Sequence, residues 1–291
     1  MDSKVLEEYL GSLVIEKGAS ANTIKAYYYD INNFLNFAMR SKNFSSDVGK
    51  KYIEYIIDIR QLAPRTVRRR AIAIAGFLSW CRSNNPQIVI TPPKPPSSRP
   101  FRSSLPKTVR RVELRTLLSI AYKRGPTDTI YIALLLMLST GIRVGELCQL
   151  RVLDFEQENK RIRVFGKGRK ERFVYISDHE LTEGLETAVA ERRDNAPLFL
   201  NMRGTALKPQ SIRNSIRQLC CQAGIDTHVT PHMLRHTSAT MHLERGVDIR
   251  FVQKMLGHSS IATTQIYTHV SDRALKAAME KGDPLAEFRD V

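Results

Sequence analysis

PHMLRHTSAT at Pro231–Thr240 and LGHSSIATTQIYTHV at Leu256–Val270 decide how this chain is read. The first predicts a helix over 231–245, and Gly246 then reads as its stop. His232 and Arg235 are three residues apart and share one face of that helix. A second helix is expected over 248–256 with Gly257 as its stop, so His258 follows a turn of the backbone. Tyr267 falls on a short helix expected over 261–269, and a last amphipathic helix is expected over 272–281. Two imidazoles, a guanidinium and a phenol are thereby gathered into one short span.

Upstream, STGIRVGELCQL at Ser139–Leu150 places Arg143 just after Gly141, at the start of a helix expected over 143–151. Glu146 lies one turn on, where it can steady Arg143. Between these segments, RIRVFGKGRKERFVYIS alternates as strands do, through Ile162 and Val164 and through Phe173 and Tyr175. Gly166 and Gly168 supply turn residues, so a β-hairpin is expected with Lys167 near its tip. Further helices are expected over 110–123, 127–140, 178–193 and 208–223. This half is α-rich with one small β element.

The amino-terminal part reads as entirely helical. Val5, Leu6, Tyr9, Leu10, Leu13 and Val14 recur at helical spacing. A second helix carries Ile24 to Phe37 behind Ser20 or Asn22 as its cap, a third spans Asp47–Ile59, and a fourth opens at Pro64. That fourth helix begins PRTVRRR and continues AIAIAGFLSW, so its second half is expected to be buried and Arg65, Arg68 and Arg69 to face outward. Six of the thirteen prolines lie between Pro92 and Pro106. Neither a helix nor a central strand survives that density. The organisation expected is therefore a helical bundle over 1–91, a Pro-rich linker over 92–107 and an α-rich domain over 108–291, a mainly α fold of two domains.

Charge points to the partner. Residues 1–98 hold 14 Lys and Arg against 8 Asp and Glu, residues 99–172 hold 17 against 7, and residues 173–291 hold 14 against 14, giving +6, +10 and zero. A basic front and a very basic middle imply a polyanion such as DNA, bound with an affinity that falls steeply with salt. The longest apolar run, Ile130–Leu138, is too short to span a bilayer, and the acidic start MDSKVLEEYL lacks the pattern of a secretory signal. A cytoplasmic protein without membrane partners is expected. Cys81, Cys148, Cys220 and Cys221 form no C-x-x-C pair and no metal-ligand spacing, so they are read as free thiols. His232 and His236 are spaced i,i+4 as metal ligands can be, but no H-E-x-x-H occurs and no carboxylate neighbours them, so His236 is read as a supporting residue.

These residue types suit one chemistry. A pentavalent phosphorus concentrates negative charge on its non-bridging oxygens, and fixed cations aimed there are the largest available source of rate. Arginine suits the task because its planar fork holds two oxygens. A leaving 5′ oxygen needs a proton, which a Lys or His can give, and a tyrosine can form a reversible ester.

The spaced pattern R…K…H-x-x-R…H…Y, carried by TGIRVGEL, GKGRKER, HMLRHTSAT and LGHSSIATTQIYTHV, resembles the tyrosine recombinases, also called the lambda-integrase family. The TTQIYTH ending resembles the family's Xer group, archaeal members included. The likeness is strong over about residues 110–271, and the amino-terminal part is more loosely similar to the family's core-binding domain. The resemblance implies that Arg143 and Arg235 clamp the scissile phosphate and that His232 assists deprotonation of the tyrosine. It implies that His258 donates to the phosphate, Lys167 protonates the leaving group and Tyr267 forms a 3′-phosphotyrosine, without metal, ATP or cofactor. Lys170 and Arg169 neighbour Lys167 and could substitute for it. The activity implied is site-specific recombination of duplex DNA for chromosome or plasmid dimer resolution. The alternatives are a mobile-element integrase and a type IB topoisomerase-like enzyme. Dimers and synaptic tetramers are expected, docked through a tail carrying Ala274, Leu275, Ala277, Ala278 and Met279.

Overall fold

The computed structural model describes residues 3–40, 45–87, 89–96, 107–166 and 171–257. The chain forms two compact units that divide between Phe101 and Arg102. Lys167, His258, Tyr267, the two helices expected after 260 and most of the Pro-rich stretch lie outside the described residues.

The first unit is a bundle of α1 (Ser3–Lys17), α2 (Ala21–Arg40), α3 (Val48–Asp58) and α4 (Pro64–Asn84). Of the two candidate caps, Ser20 fills the role, its Oγ accepting the Thr23 N–H at 3.3 Å. Pro64 sits in the first turn of α4, where its missing N–H costs nothing. Ile31, Phe34, Tyr52, Ile56, Ile74, Phe77 and Leu78 are fully buried between these helices. Each contributes up to about 1.5–3 kcal/mol of hydrophobic stabilisation, an upper bound because the unfolded chain is itself partly collapsed. The start of the Pro-rich stretch is tied to this unit: just before it Thr91 N–H donates to Ser46 O at 2.8 Å, and buried Pro93 packs on Gly49.

The second unit is built around α6 (Thr129–Thr140). This helix buries Ile130 to Leu134, Leu136 and Met137 and so is apolar almost all round, as a central helix must be. Asp128 caps it, accepting the N–H groups of Ile130 and Tyr131. Around it lie α5 (Arg111–Tyr122), α7 (Val144–Leu147), α8 (His179–Val189), α9 (Pro209–Gln222), α10 (Pro231–Glu244) and α11 (Ile249–Leu256).

Two expectations need correction here. The helix expected over 143–151 stops at Leu147, because the Leu150 carbonyl is taken by Leu198 N–H at 2.8 Å and Val152 N–H by Ala196 O at 3.0 Å. A short 3₁₀ turn, Val152–Asp154, follows instead. The hairpin is also one strand larger than expected: β1 (Phe155–Glu156), β2 (Arg161–Phe165) and β3 (Glu171–Tyr175) form an antiparallel sheet in that order. Its register pairs Ile162 with Val174 and Val164 with Arg172. The face shared with buried Ile162 and Val164 therefore carries Arg172 and Val174, whereas Tyr175 is 68% exposed and Phe173 lies under the Arg161 guanidinium at 4.1 Å. Side chains alternate strictly along a strand, so Phe173 and Tyr175 share the opposite face of β3.

Gly184 on α8 packs closely against Ile132 of α6 in the second core. A Cβ there would lie 2.1 Å from Ile132 Cδ1 and 2.9 Å from its Cγ1. Gly184→Ala is expected to cost about 1–3 kcal/mol by overpacking, and adding Ile132→Val to recover part of that loss. Equilibrium denaturation of the three variants checks this; a midpoint unchanged by Gly184→Ala would contradict it.

Candidate active site

The site begins where α6 ends. Gly141 closes that helix in the left-handed region, at φ 62°, and a side chain there would run into Leu256. The next turn buries Ile142 and brings Arg143 to the N-cap of α7, with its side chain 38% exposed. Glu146, the third residue of α7, reaches back: one carboxylate oxygen accepts the Arg143 backbone N–H at 3.0 Å and the other its Nη1 at 2.8 Å. The short helix thus fixes both ends of Arg143.

Arg235 comes from α10, whose first turn is set by Pro231 and by Thr230, which accepts Met233 N–H at 3.2 Å. Its side chain passes inward and is buried. The guanidinium donates to Gly141 O at 2.5 Å and to Leu256 O at 2.7 Å. Both carbonyls sit at C-terminal helix ends, which carry partial negative charge, so a buried cation is well placed there. One residue thereby joins the ends of α6 and α11. The Gly257 turn that follows has φ 66° and passes closely over Arg172.

His232, one turn before Arg235 on α10, reaches the surface. Partial desolvation first, then the positive charges of Arg235, Arg213 and Arg143, lower its pKa below the ordinary histidine value. It is therefore neutral at pH 7 and able to accept a proton. The same electrostatics place Arg143, Arg213, His232 and Arg235 around one region. His236 is more enclosed, and burial, His232 and Arg235 lower its pKa too. A pair of guanidiniums beside an imidazole of lowered pKa has the chemistry to hold a phosphate and to accept a proton beside it.

Comparison with known proteins identifies the family. Residues 107–274 match the Phage integrase family, and residues 6–85 match the Phage integrase N-terminal SAM-like domain. The chain is 35% identical to tyrosine recombinase XerD of Staphylococcus epidermidis over 97% of its own length and 99% of that protein's. It is 32% identical to tyrosine recombinase XerC of Thermodesulfovibrio yellowstonii, with 97% of each covered. Among solved structures, the XerA recombinase aligns with a TM-score of 0.52 at 30% identity, covering 97% of this chain and 98% of that one. The chain belongs to the phage integrase family. The post-cleavage complex of XerH recombinase with palindromic difH substrate aligns with a TM-score of 0.71 at 24% identity, covering 96% and 84%, and shares the fold.

As a tyrosine recombinase, the protein cleaves and rejoins DNA. Four of the residues read from sequence, Arg143, Glu146, His232 and Arg235, come together at one place in the second unit. Lys167, His258 and Tyr267 lie outside the described residues. In the first unit, Arg65 and Arg68 are exposed at the start of α4, Arg68 touching Pro96 O at 3.4 Å. Arg69 is also at the surface, but its guanidinium is engaged by buried Asp30, which Arg70 approaches as well. Two residues of the second unit went unread: Arg213 on α9, and Arg172 on β3, which holds Glu146 from the opposite side to Arg143. Arg172 stands in the quoted GKGRKER, and the period-two rule with Val174 as the core residue would have turned it inward.

Glu146 carries a pH signature. Burial pushes its carboxyl up, but Arg172 and Arg143 outweigh burial and hold it below the ordinary carboxylate value. A depressed acid stabilises the fold above its unfolded pKa, and that contribution is lost as pH falls through the folded pKa. Glu146→Gln should therefore narrow the stability difference from wild type as pH is lowered from about 6 to 3. Denaturation curves across that range check it; a constant difference would contradict it.

Proposed function

We propose that this chain recombines specific duplex DNA sites to resolve chromosome or plasmid dimers in the cytoplasm, with Arg143 and Arg235 as the clamp on the scissile phosphate. The observation that carries the reading is the pair of guanidiniums, one buried and fixed by helix-end carbonyls, the other at the surface and fixed by a carboxylate, beside a neutral His232. Preset donors of this kind cost no reorganisation as charge develops on the phosphate oxygens. His232 accepts the phenolic proton of Tyr267, whose oxygen attacks phosphorus; the P–O5′ bond breaks and Lys167 protonates the departing 5′ oxygen. His258 donates to a non-bridging oxygen. The phosphotyrosine keeps the bond's energy, so a second 5′-hydroxyl reverses the step without ATP.

Nearly full-length similarity to proteins named XerC and XerD supports dimer resolution over integration of a mobile element. The first unit then serves as the core-binding domain, with the Pro-rich stretch as its tether to the second. Arg65 and Arg68 contact its backbone, and the tail after Asp272 docks on an adjacent protomer in the synapse.

The reading is tested by incubating the protein with nicked duplexes made from fragmented host DNA and recovering covalent adducts. Wild type is expected to yield adducts that converge on one sequence. Tyr267→Phe should yield none, and Arg143→Ala should form them about 10²–10³-fold more slowly. Adducts that persist in Tyr267→Phe would refute the nucleophile. Relaxation of supercoils without strand exchange on a plasmid carrying two recovered sites would favour a topoisomerase.

A further inference from the structure

Two adjacent carbonyls end α11, and each is held by a different arginine. Leu256 O accepts from Arg235 at 2.7 Å, and Met255 O accepts from Arg172 Nε at 2.8 Å. The other two nitrogens of Arg172 grip Glu146, Nη2 to Oε2 at 2.8 Å and Nη1 to Oε1 at 3.2 Å. The two side chains are equally sequestered, each 9% exposed. Glu146 in turn holds Arg143. The backbone just beyond, at Gly257, passes so close that a Cβ there would stand 3.1–3.2 Å from Cδ, Nε and Nη1 of Arg172. Arg172 itself is the second residue of β3, five positions after Lys167.

We infer that Arg172 is a positioning residue of this site, whose single guanidinium sets Arg143 through Glu146 and sets the backbone leading to His258 through Met255. The inference rests on the proposed function and deepens it. Arg172 touches no reacting atom. It divides the carboxylate of Glu146 between two cations, so Arg143 engages that carboxylate through Nη1 and keeps exposed surface for a phosphate. Without Arg172, Glu146 and Arg143 close on each other as an ordinary ion pair, and the fork of Arg143 is drawn away from DNA. The same loss frees Met255 O and with it one of the two ties on the end of α11. A lysine keeps the charge but cannot span Glu146 and Met255 O together, since its donors radiate from one atom.

The test compares wild type, Arg172→Gln, Arg172→Lys and Glu146→Gln/Arg172→Gln on a nicked suicide duplex bearing the recovered site. Binding is read by gel shift, adduct formation by single-turnover kinetics at saturating DNA, and folding by circular dichroism. Arg172→Gln is expected to lower the cleavage rate about 10²-fold, the cost of a misplacement on the order of 1 Å, with affinity changed by less than about threefold. Arg172→Lys should fall between the two. The double variant should be no slower than Arg172→Gln alone, as expected of residues acting through one path. Should Arg172→Gln fail to fold, Arg172→Lys and the double variant, which leaves no unpaired carboxylate, decide the matter. A wild-type rate in Arg172→Lys, or a double variant much slower than Arg172→Gln alone, would overturn the inference. Absence of any Tyr267-dependent adduct from wild type would instead refute the proposed function itself.

Discussion

The guanidinium of Arg235 is the interaction on which the second unit's site depends. It is buried, it is charged, and among the described residues it donates to the carbonyls of Gly141 and Leu256 at the ends of α6 and α11. Helix-end carbonyls solvate a cation without cancelling its charge. The cost of burying the charge is offset by directional hydrogen bonds, which also fix where it points. Gly141 and Gly257 follow from this arrangement: each ends its helix in the left-handed region and lets backbone approach closely, on Leu256 in one case and on Arg172 in the other.

Arg143 solves the same problem differently. It lies at the surface and is held by Glu146, but Arg172 shares that carboxylate, so the local balance of two guanidiniums to one carboxylate remains positive. Partial desolvation first, and then the charges of Arg235, Arg213 and Arg143, lower the pKa of His232. Electrostatics thus prepares a cation clamp and a proton acceptor together, and neither is independent of the other.

Much of this was legible in the residues. The helices of the first unit follow directly from hydrophobic spacing and from Ser20 and Pro64 as start signals. Arg143, Glu146, His232 and Arg235 were readable because their spacing along α7 and α10 is local, and local geometry is what sequence encodes most plainly. What sequence obscured was long-range. The third strand, β1, is two residues long and carries no periodic signal. The stop of α7 at Leu147 is imposed by hydrogen bonds from Leu198 and Ala196, some fifty residues away. Arg172 was hidden for a related reason: Phe173 and Tyr175 look like core residues, yet Arg161 covers Phe173 and Tyr175 faces solvent. Val174 is the residue of β3 that marks its buried face.

The most direct measurement is a crystal structure of Tyr267→Phe bound to a duplex carrying the recovered site. The account predicts the scissile phosphate bridged between Arg143 and Arg235, His232 within hydrogen-bond reach of residue 267, and the bonds from Arg235 to Gly141 O and Leu256 O intact. A phosphate seated away from this pair, or an Arg235 released from both carbonyls, would contradict it.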